Sequence, residues 1–324
     1  MDNRNFFILS MLFFWSSHAR EVKLYDSSEY SSLDWVVHPM IREDTYDGGW
    51  VESGVSFERR YQTCSVSSPG DNWLRMPYLE RKGANRIHVE VKFTMYSCTG
   101  ITDAQLCKET FDVYFYQSDE DDASDSSPNW TAPPYERVAR IAAEGRFSDP
   151  DTPDENVINV RSENFGPVTS RGFYIAFRDQ GACMALQQVR VFYQVCPQVV
   201  LNFAIFNQTN EGQETHTLVT VPGTCVRNAQ PVPPDTVPQY ICQSEGIWSL
   251  NQGGCGCSPG YEPREDGNSC KECQIGTFKS EIGSSECTPC PAKSHADTVA
   301  VTVCTCIPDY YRAPGEEASE PCTD

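Results

Sequence analysis

The sequence predicts an all-β protein: a jelly-roll β-sandwich followed by small modules held together by disulfides. Three observations carry that reading. Short runs that alternate apolar and polar side chains recur through the first part of the chain, and no helical period is sustained anywhere. Sixteen cysteines are unequally spread, five of them up to Cys196 and eleven between Cys225 and Cys322. A segment poor in cysteine and rich in β-branched and aromatic residues can bury its own core, whereas a cysteine-dense one needs staples.

The elements follow in order. Met1, Arg4 and the apolar run from Phe6 to Trp15 precede Ser17-His18-Ala19, small residues placed for cleavage. Residues 1–19 therefore read as a secretory signal peptide, with the mature chain beginning near Arg20. No later stretch has the uninterrupted apolar length of a membrane span, so no membrane insertion by this chain is expected. Export implies an oxidising compartment, in which an even number of cysteines reads as paired. Residues 20–197 hold the sandwich. Arg86–Thr94, Thr110–Tyr116 and Gln188–Tyr193 alternate at period two, with Gly, Pro, Asp and Asn at the turns between strands. Repeated short strands on this scale imply two packed sheets, and a jelly roll is the common form. Within this part Cys64 sits alone in Arg60-Tyr61-Gln62-Thr63-Cys64-Ser65-Val66, with the next cysteine at Cys98. It must find a distant partner, stay free, or do chemistry. The remaining cysteines mark two further modules, 198–255 and 256–324.

Charge narrows the function. Asp and Glu number 45 against 25 Lys and Arg, a formal net charge of −20. That balance argues against a nucleic-acid partner, because phosphate neutralisation needs a basic face that this chain does not display. The run Asp119-Glu120-Asp121-Asp122-Ala123-Ser124-Asp125 lacks the glycine turn and terminal Glu of a calcium loop and reads as solvated. Asn129-Trp130-Thr131 and Asn207-Gln208-Thr209 are acceptor sequons, which makes Asn129 and Asn207 the expected glycosylation sites. The five histidines are scattered. No nucleophile elbow, His-Glu-x-x-His pair, phosphate loop or kinase signature is present, so no catalysis, cofactor or metal is expected of these residues.

Several uninterrupted blocks carry a resemblance. Tyr61-Gln62-Thr63-Cys64, Asn72-Trp73-Leu74-Arg75, Gly83-Ala84-Asn85-Arg86-Ile87, Cys107-Lys108-Glu109-Thr110-Phe111 and the run from Gly172 to Cys183 resemble, in order, the ligand-binding domain of Eph receptors. Trp35–Pro39, Ile87–Glu90, Pro128–Trp130 and Phe165–Val168 look more like the B class than the A class. The resemblance implies bridges Cys64–Cys183 and Cys98–Cys107, with Cys64 and Cys183 in loops at the rim of a channel that admits an extended, mostly apolar loop of an ephrin. By position it implies Cys64, Val66, Pro69, Tyr96, Ile158, Cys183, Met184 and Ala185 as ligand-binding residues. In one place the chain departs from the family. Phe93-Thr94-Met95-Tyr96-Ser97-Cys98 puts a phenol where the family usually carries Arg, and a phenol forms a weaker bond to an acidic group than a guanidinium does. Arg146, in Ala143-Glu144-Gly145-Arg146-Phe147, is a candidate to restore a cation nearby.

Cys196, Cys225, Cys242 and Cys255, with Trp248 as core, resemble a sushi-type module, which implies Cys196–Cys242 and Cys225–Cys255. The stretch beyond, with Gly276-Thr277-Phe278-Lys279, is similar to the EGF-like part of the same receptors. That implies Cys257–Cys270, Cys273–Cys287, Cys290–Cys304 and Cys306–Cys322, although spacing alone allows other connectivities. Cys270-x-x-Cys273 and Cys287-x-x-Cys290 would also pass as a zinc ribbon, a reading that secretion and the lack of nearby histidines disfavour. The resemblance implies an extracellular ephrin-binding portion of a receptor for contact-dependent cell-cell signalling, with weak self-association in cis. In the family the tyrosine kinase lies far beyond position 324, so the chain reads as a partial receptor or a soluble decoy. The alternative, on fold alone, is a glycan-binding lectin-like jelly roll.

Overall fold

The computed structural model describes residues 20–39, 49–55, 58–64, 66, 70–99, 106–148, 157–214 and 216–324. Its first strands are β1 (Arg20–Asp26), β2 (Val36–His38), β3 (Val51–Ser53), β4 (Arg60–Cys64), β5 (Asn72–Arg75) and β6 (Leu79–Glu80). There follow β7 (Ile87–Met95), β8 (Thr110–Ser118), β9 (Glu136–Ala142), β10 (Asn159–Phe165), β11 (Gly172–Asp179) and β12 (Cys183–Cys196). One sheet runs β10-β7-β12-β4-β3, with β1 and the short strand Thr209–Asn210 also on β12; the other runs β2-β5-β11-β8-β9, with β6 on β11. The ladders are antiparallel.

Period-two patterning explains how the first sheet packs. Ile87, Val89, Val91, Phe93 and Met95 of β7 are buried in the core between the sheets, while His88, Glu90, Lys92 and Thr94 point to the other face. Strand β11 is different, being buried on both sides. Phe173, Ile175 and Phe177 join the main core, and Ala176 packs on the outer side with Trp73, Tyr114, Trp130 and Tyr135. The β8–β9 loop covers that outer side because Arg75 holds it. Buried Arg75 donates to the Ser124 and Ser127 carbonyls and the Tyr135 hydroxyl, 5.0 Å from the Trp130 ring centre and 5.2 Å from that of Tyr174. The acidic run in this loop is exposed, yet it is more than a solvated segment. Asp119 accepts from the Arg171 amide, Asp121 from the Tyr174 hydroxyl and Asp122 from the Ser118 hydroxyl, so three carboxylates fasten the loop.

Beyond Cys196 the chain is stapled. Bridges join Cys196–Cys242, Cys225–Cys255, Cys257–Cys270, Cys273–Cys287, Cys290–Cys304 and Cys306–Cys322. Trp248 is buried among Phe206, Val221, Cys196 and Cys242 and donates to the Pro197 carbonyl at 2.7 Å. The strand Gly254–Cys257 carries both Cys255 and Cys257 and so runs across position 255, sharing one strand between consecutive modules. Two buried charges fix the joints. Glu211, which follows the sandwich, turns back onto it, meeting His88 Nε2 at 2.7 Å and Arg86 at 3.7 Å and accepting from the Gln194 amide. Lys279 extends its ammonium to the carbonyls of Cys257, Tyr261 and Gly283 at 3.3, 2.9 and 2.6 Å; burial draws its pKa below the ordinary lysine value, opposed by Glu262.

Candidate functional site

A groove of about 810 Å³ lies on the outer face of the seven-stranded sheet. Alternation builds its floor. On β4, Tyr61 and Thr63 are buried, which turns Arg60, Gln62 and Cys64 outward; on β7 the same logic presents Lys92 and Thr94. Strand β12 adds Cys183, Ala185, Gln187 and Gln188. Its register against β7 shifts between Leu186 and Gln188, so two consecutive glutamines line the groove where strict alternation would present one. Gln188 is held in place, its amide donating to Asp26 Oδ1 at 2.7 Å and Ser28 Oγ at 3.1 Å. Burial pushes the Asp26 carboxyl up, but hydrogen bonds from Gln188 and Ser28 and the charge of Arg190 outweigh it and hold the pKa below the ordinary aspartate value.

Cys64 and Cys183 form a disulfide across a span of 119 residues. They are not in loops. Cys64 ends β4, Cys183 begins β12, and the two are direct register partners with Cα atoms 3.8 Å apart. The bridge therefore clamps adjacent strands of one sheet beneath the groove. Asp179, fully buried, sets the approach to it. One carboxylate oxygen accepts from the Gly181 and Ala182 amides at 3.0 and 2.6 Å, and the other accepts from Thr63 Oγ1 at 3.2 Å and Asn72 Nδ2 at 3.1 Å. One side chain at the end of β11 thus shapes the turn before Cys183, ties β4 across to its own sheet and holds β5 beside it. Gly181 has φ +125°, and a Cβ there would lie 2.2 Å from the Leu106 carbonyl oxygen, so glycine is required. The Lys108 amide donates to the Gly181 carbonyl, bringing the Cys98–Cys107 bridge alongside.

Of the residues implied by resemblance, Cys64, Ile158, Cys183, Met184 and Ala185 line the groove, with Met184 also reaching into the core. Val66 is half-buried and, like Tyr96, is outside the lining; Pro69 lies outside the described residues, as does the signal peptide. Tyr96 packs edge-on against Phe147, whose ring is in the groove wall, at 5.4 Å between centroids. Arg146 is committed elsewhere, its guanidinium 2.6 Å from Glu109, which also accepts from the Cys98 amide. The polar floor of Arg60, Gln62, Lys92, Thr94 and Gln187 is absent from the sequence-level site. Its signal was the outward half of each alternating strand, which sequence does not separate from ordinary solvated surface.

Among the described residues no cluster of His, Cys, Asp or Glu is arranged to hold a metal, and no free cysteine is present, so the Cys-x-x-Cys sulfurs are all in bridges. Asn129 and Asn207 are both exposed outside strands.

This combination defines a class: an antiparallel sandwich with a disulfide-clamped groove, continued into stapled modules, as in receptor ectodomains. Residues 22–196 match the ephrin receptor ligand binding domain, residues 197–257 the ephrin cysteine rich domain, and residues 260–306 the family described as tyrosine-protein kinase ephrin type A/B receptor-like. The chain belongs to the ephrin receptor family. It is 41% identical over 314 residues to ephrin type-B receptor 2 of Gallus gallus, covering 94% of this chain and 30% of that protein. Ephrin type-B receptor 3 of Xenopus laevis is 41% identical over 301 residues, covering 90% and 30%. Ephrin type-B receptor 4 of Mus musculus is 37% identical over 328 residues, covering 97% and 32%. The chain thus spans about 30% of the length of the curated relatives it matches, in regions that match the ligand binding and cysteine rich domains. Membership makes it an extracellular or cell-surface portion, and among the described residues no helix is long and apolar enough to cross a membrane.

Proposed function

We propose that this chain captures an ephrin presented by a neighbouring cell, seating an extended segment of the ligand in the groove on the seven-stranded sheet. The single observation that supports this most is the groove itself, clamped at its base by Cys64–Cys183 in the domain that matches the ephrin receptor ligand binding family. A site ordered before its ligand arrives avoids much of the ordering entropy of association. B-class ephrins are the favoured ligands, since the relatives above are type-B receptors. The signal-like N-terminus supports a secreted or surface-displayed product, and Asn129 and Asn207 are its glycosylation sites. Exposed Leu218 and Val237 give the cysteine-rich region apolar surface for weak self-association, which sedimentation of residues 20–324 at high concentration would detect.

The direct test expresses residues 20–324 through a secretory pathway and offers them immobilised A-class and B-class ephrin ectodomains beside a glycan array. Saturable capture by B-class ephrins, stronger than by A-class, is the expected outcome. Glycan capture without ephrin capture would replace this reading with the lectin-like one.

A further inference from the structure

The groove floor is organised in rows. Leu186 of β12 pairs with Tyr61 on one side and Phe93 on the other, and Gln188 pairs with Lys92, which in turn pairs with Val160 of β10. One step past Tyr61 is Arg60, so a single outward row runs Arg60, the Gln187–Gln188 bulge, Lys92 and Val160. Arg60 and Lys92 sit on the two strands flanking β12, which places their backbones about 10 Å apart. The neighbouring outward row, two residues along and about 7 Å away, runs Val51, Gln62, Ala185, Thr94 and, continuing β10 outward, Ile158.

The two rows differ in charge. Cations around the groove are neutralised inside the chain: Arg59 by Glu52, Arg146 by Glu109, Arg161 by Glu144 and Arg190 by Glu90. Among the described residues, Arg60 and Lys92 line the groove without an ion-pair partner. Glu58 also lines the groove and pairs with neither of them. A chain of net charge −20 repels an acidic partner over most of its surface, so this strip is where an anion is drawn in.

We infer that Arg60 and Lys92 determine ligand specificity: they take a carboxylate side chain of the inserted segment while an apolar side chain of the same segment sits against Ile158 and Ala185. The row spacing sets the order. In an extended segment, residues two apart on one face are separated by about 7 Å, so the carboxylate and the apolar residue occupy positions i and i+2. The inference rests on the ephrin-capture reading and deepens it.

The test uses residues 20–324 and the ephrin ectodomain that binds the unaltered chain best. Arg60→Ala and Lys92→Ala each weaken binding about fivefold, as for a partly exposed charge pair, the double Arg60→Glu/Lys92→Glu variant abolishes it, and Arg146→Ala leaves it unchanged. Both positions face outward, and unaltered melting temperatures would verify folding. Replacing the acidic residues of the ephrin's inserted loop by Gln one at a time identifies one whose loss weakens binding to the unaltered chain but not to the Arg60→Ala/Lys92→Ala double variant. If that double variant binds within twofold of the unaltered chain, the assignment of Arg60 and Lys92 is overturned and ephrin capture stands. If the unaltered chain binds no ephrin, both fail.

Discussion

Replacing Asp179 by Ala tests whether one buried carboxylate organises the base of the groove. The side chain is fully buried and accepts four hydrogen bonds, from Gly181 N, Ala182 N, Thr63 Oγ1 and Asn72 Nδ2, at 2.6 to 3.2 Å. Bonds to a charged acceptor contribute about 1.5 kcal/mol each at the low end, which sets the gross loss near ~6 kcal/mol. Removing a buried charge returns about 2 kcal/mol of desolvation, leaving a net destabilisation of about 4 kcal/mol. For a domain of this size that lowers the melting temperature by about 8 to 16 °C. Asp179→Asn keeps an acceptor for the two turn amides and loses about half as much. Thermal unfolding of residues 20–324 followed by circular dichroism reads both values. Ephrin binding, measured below the transition, falls more for the Ala variant because the turn before Cys183 relaxes. A shift under 2 °C for Asp179→Ala would mean that the four bonds do not hold this corner, and the argument for its role would collapse.

Three further outcomes are expected. Cys64→Ser/Cys183→Ser opens a loop of 119 residues and destabilises the sandwich by about 4 to 5 kcal/mol in the chain-entropy account, read by chemical denaturation together with loss of ephrin capture. Glu211→Ala removes the buried carboxylate that meets His88 and Arg86 and destabilises the joint by about 3 kcal/mol, read as faster proteolysis between the sandwich and the next module. The Cys287 amide, opposed in part by burial and reinforced by Lys271, holds the Glu262 carboxyl below the ordinary glutamate range. A depressed folded pKa stabilises above the unfolded value, so the module loses stability as pH falls below about 4.3 and on through the folded pKa, and Glu262→Gln flattens that acid limb in a pH series of melting temperatures.

How far the sequence reaches depends on which face of a strand is asked about. The buried half of β7 is legible because Ile87, Val89, Val91, Phe93 and Met95 must all avoid water, a requirement that leaves a period-two trace. Strand β11, buried on both sides, leaves no alternation of that kind, and its run entered the sequence reading only through the resemblance. The outward half leaves no comparable trace. Lys92 and Arg60 read as any solvated charge until the register places them in one row, and the shift after Leu186 that turns Gln187 into the groove has no signature in residue types. Asp179 and Glu211 are hidden for another reason: their burial depends on partners far along the chain, Thr63 and His88 respectively, and pattern reading sees only neighbours. The resemblance supplied the clamp; of the binding residues it implies, Cys64, Ile158, Cys183, Met184 and Ala185 border the groove and Tyr96 and Val66 stand outside its lining.

Strand β12 has a mechanical consequence. Its fourteen residues begin at the cysteine bridged to β4 and end at the cysteine bridged to Cys242. At about 3.3 Å per residue that is a rod of roughly 45 Å, pinned covalently at both ends. Tension applied along the strand between these two pins loads the flanking ladders lengthwise, in shear, so that many hydrogen bonds must yield together. A pull at the Cys64 pin thus has a covalent path, along β12 and through Cys196–Cys242, into the stapled modules.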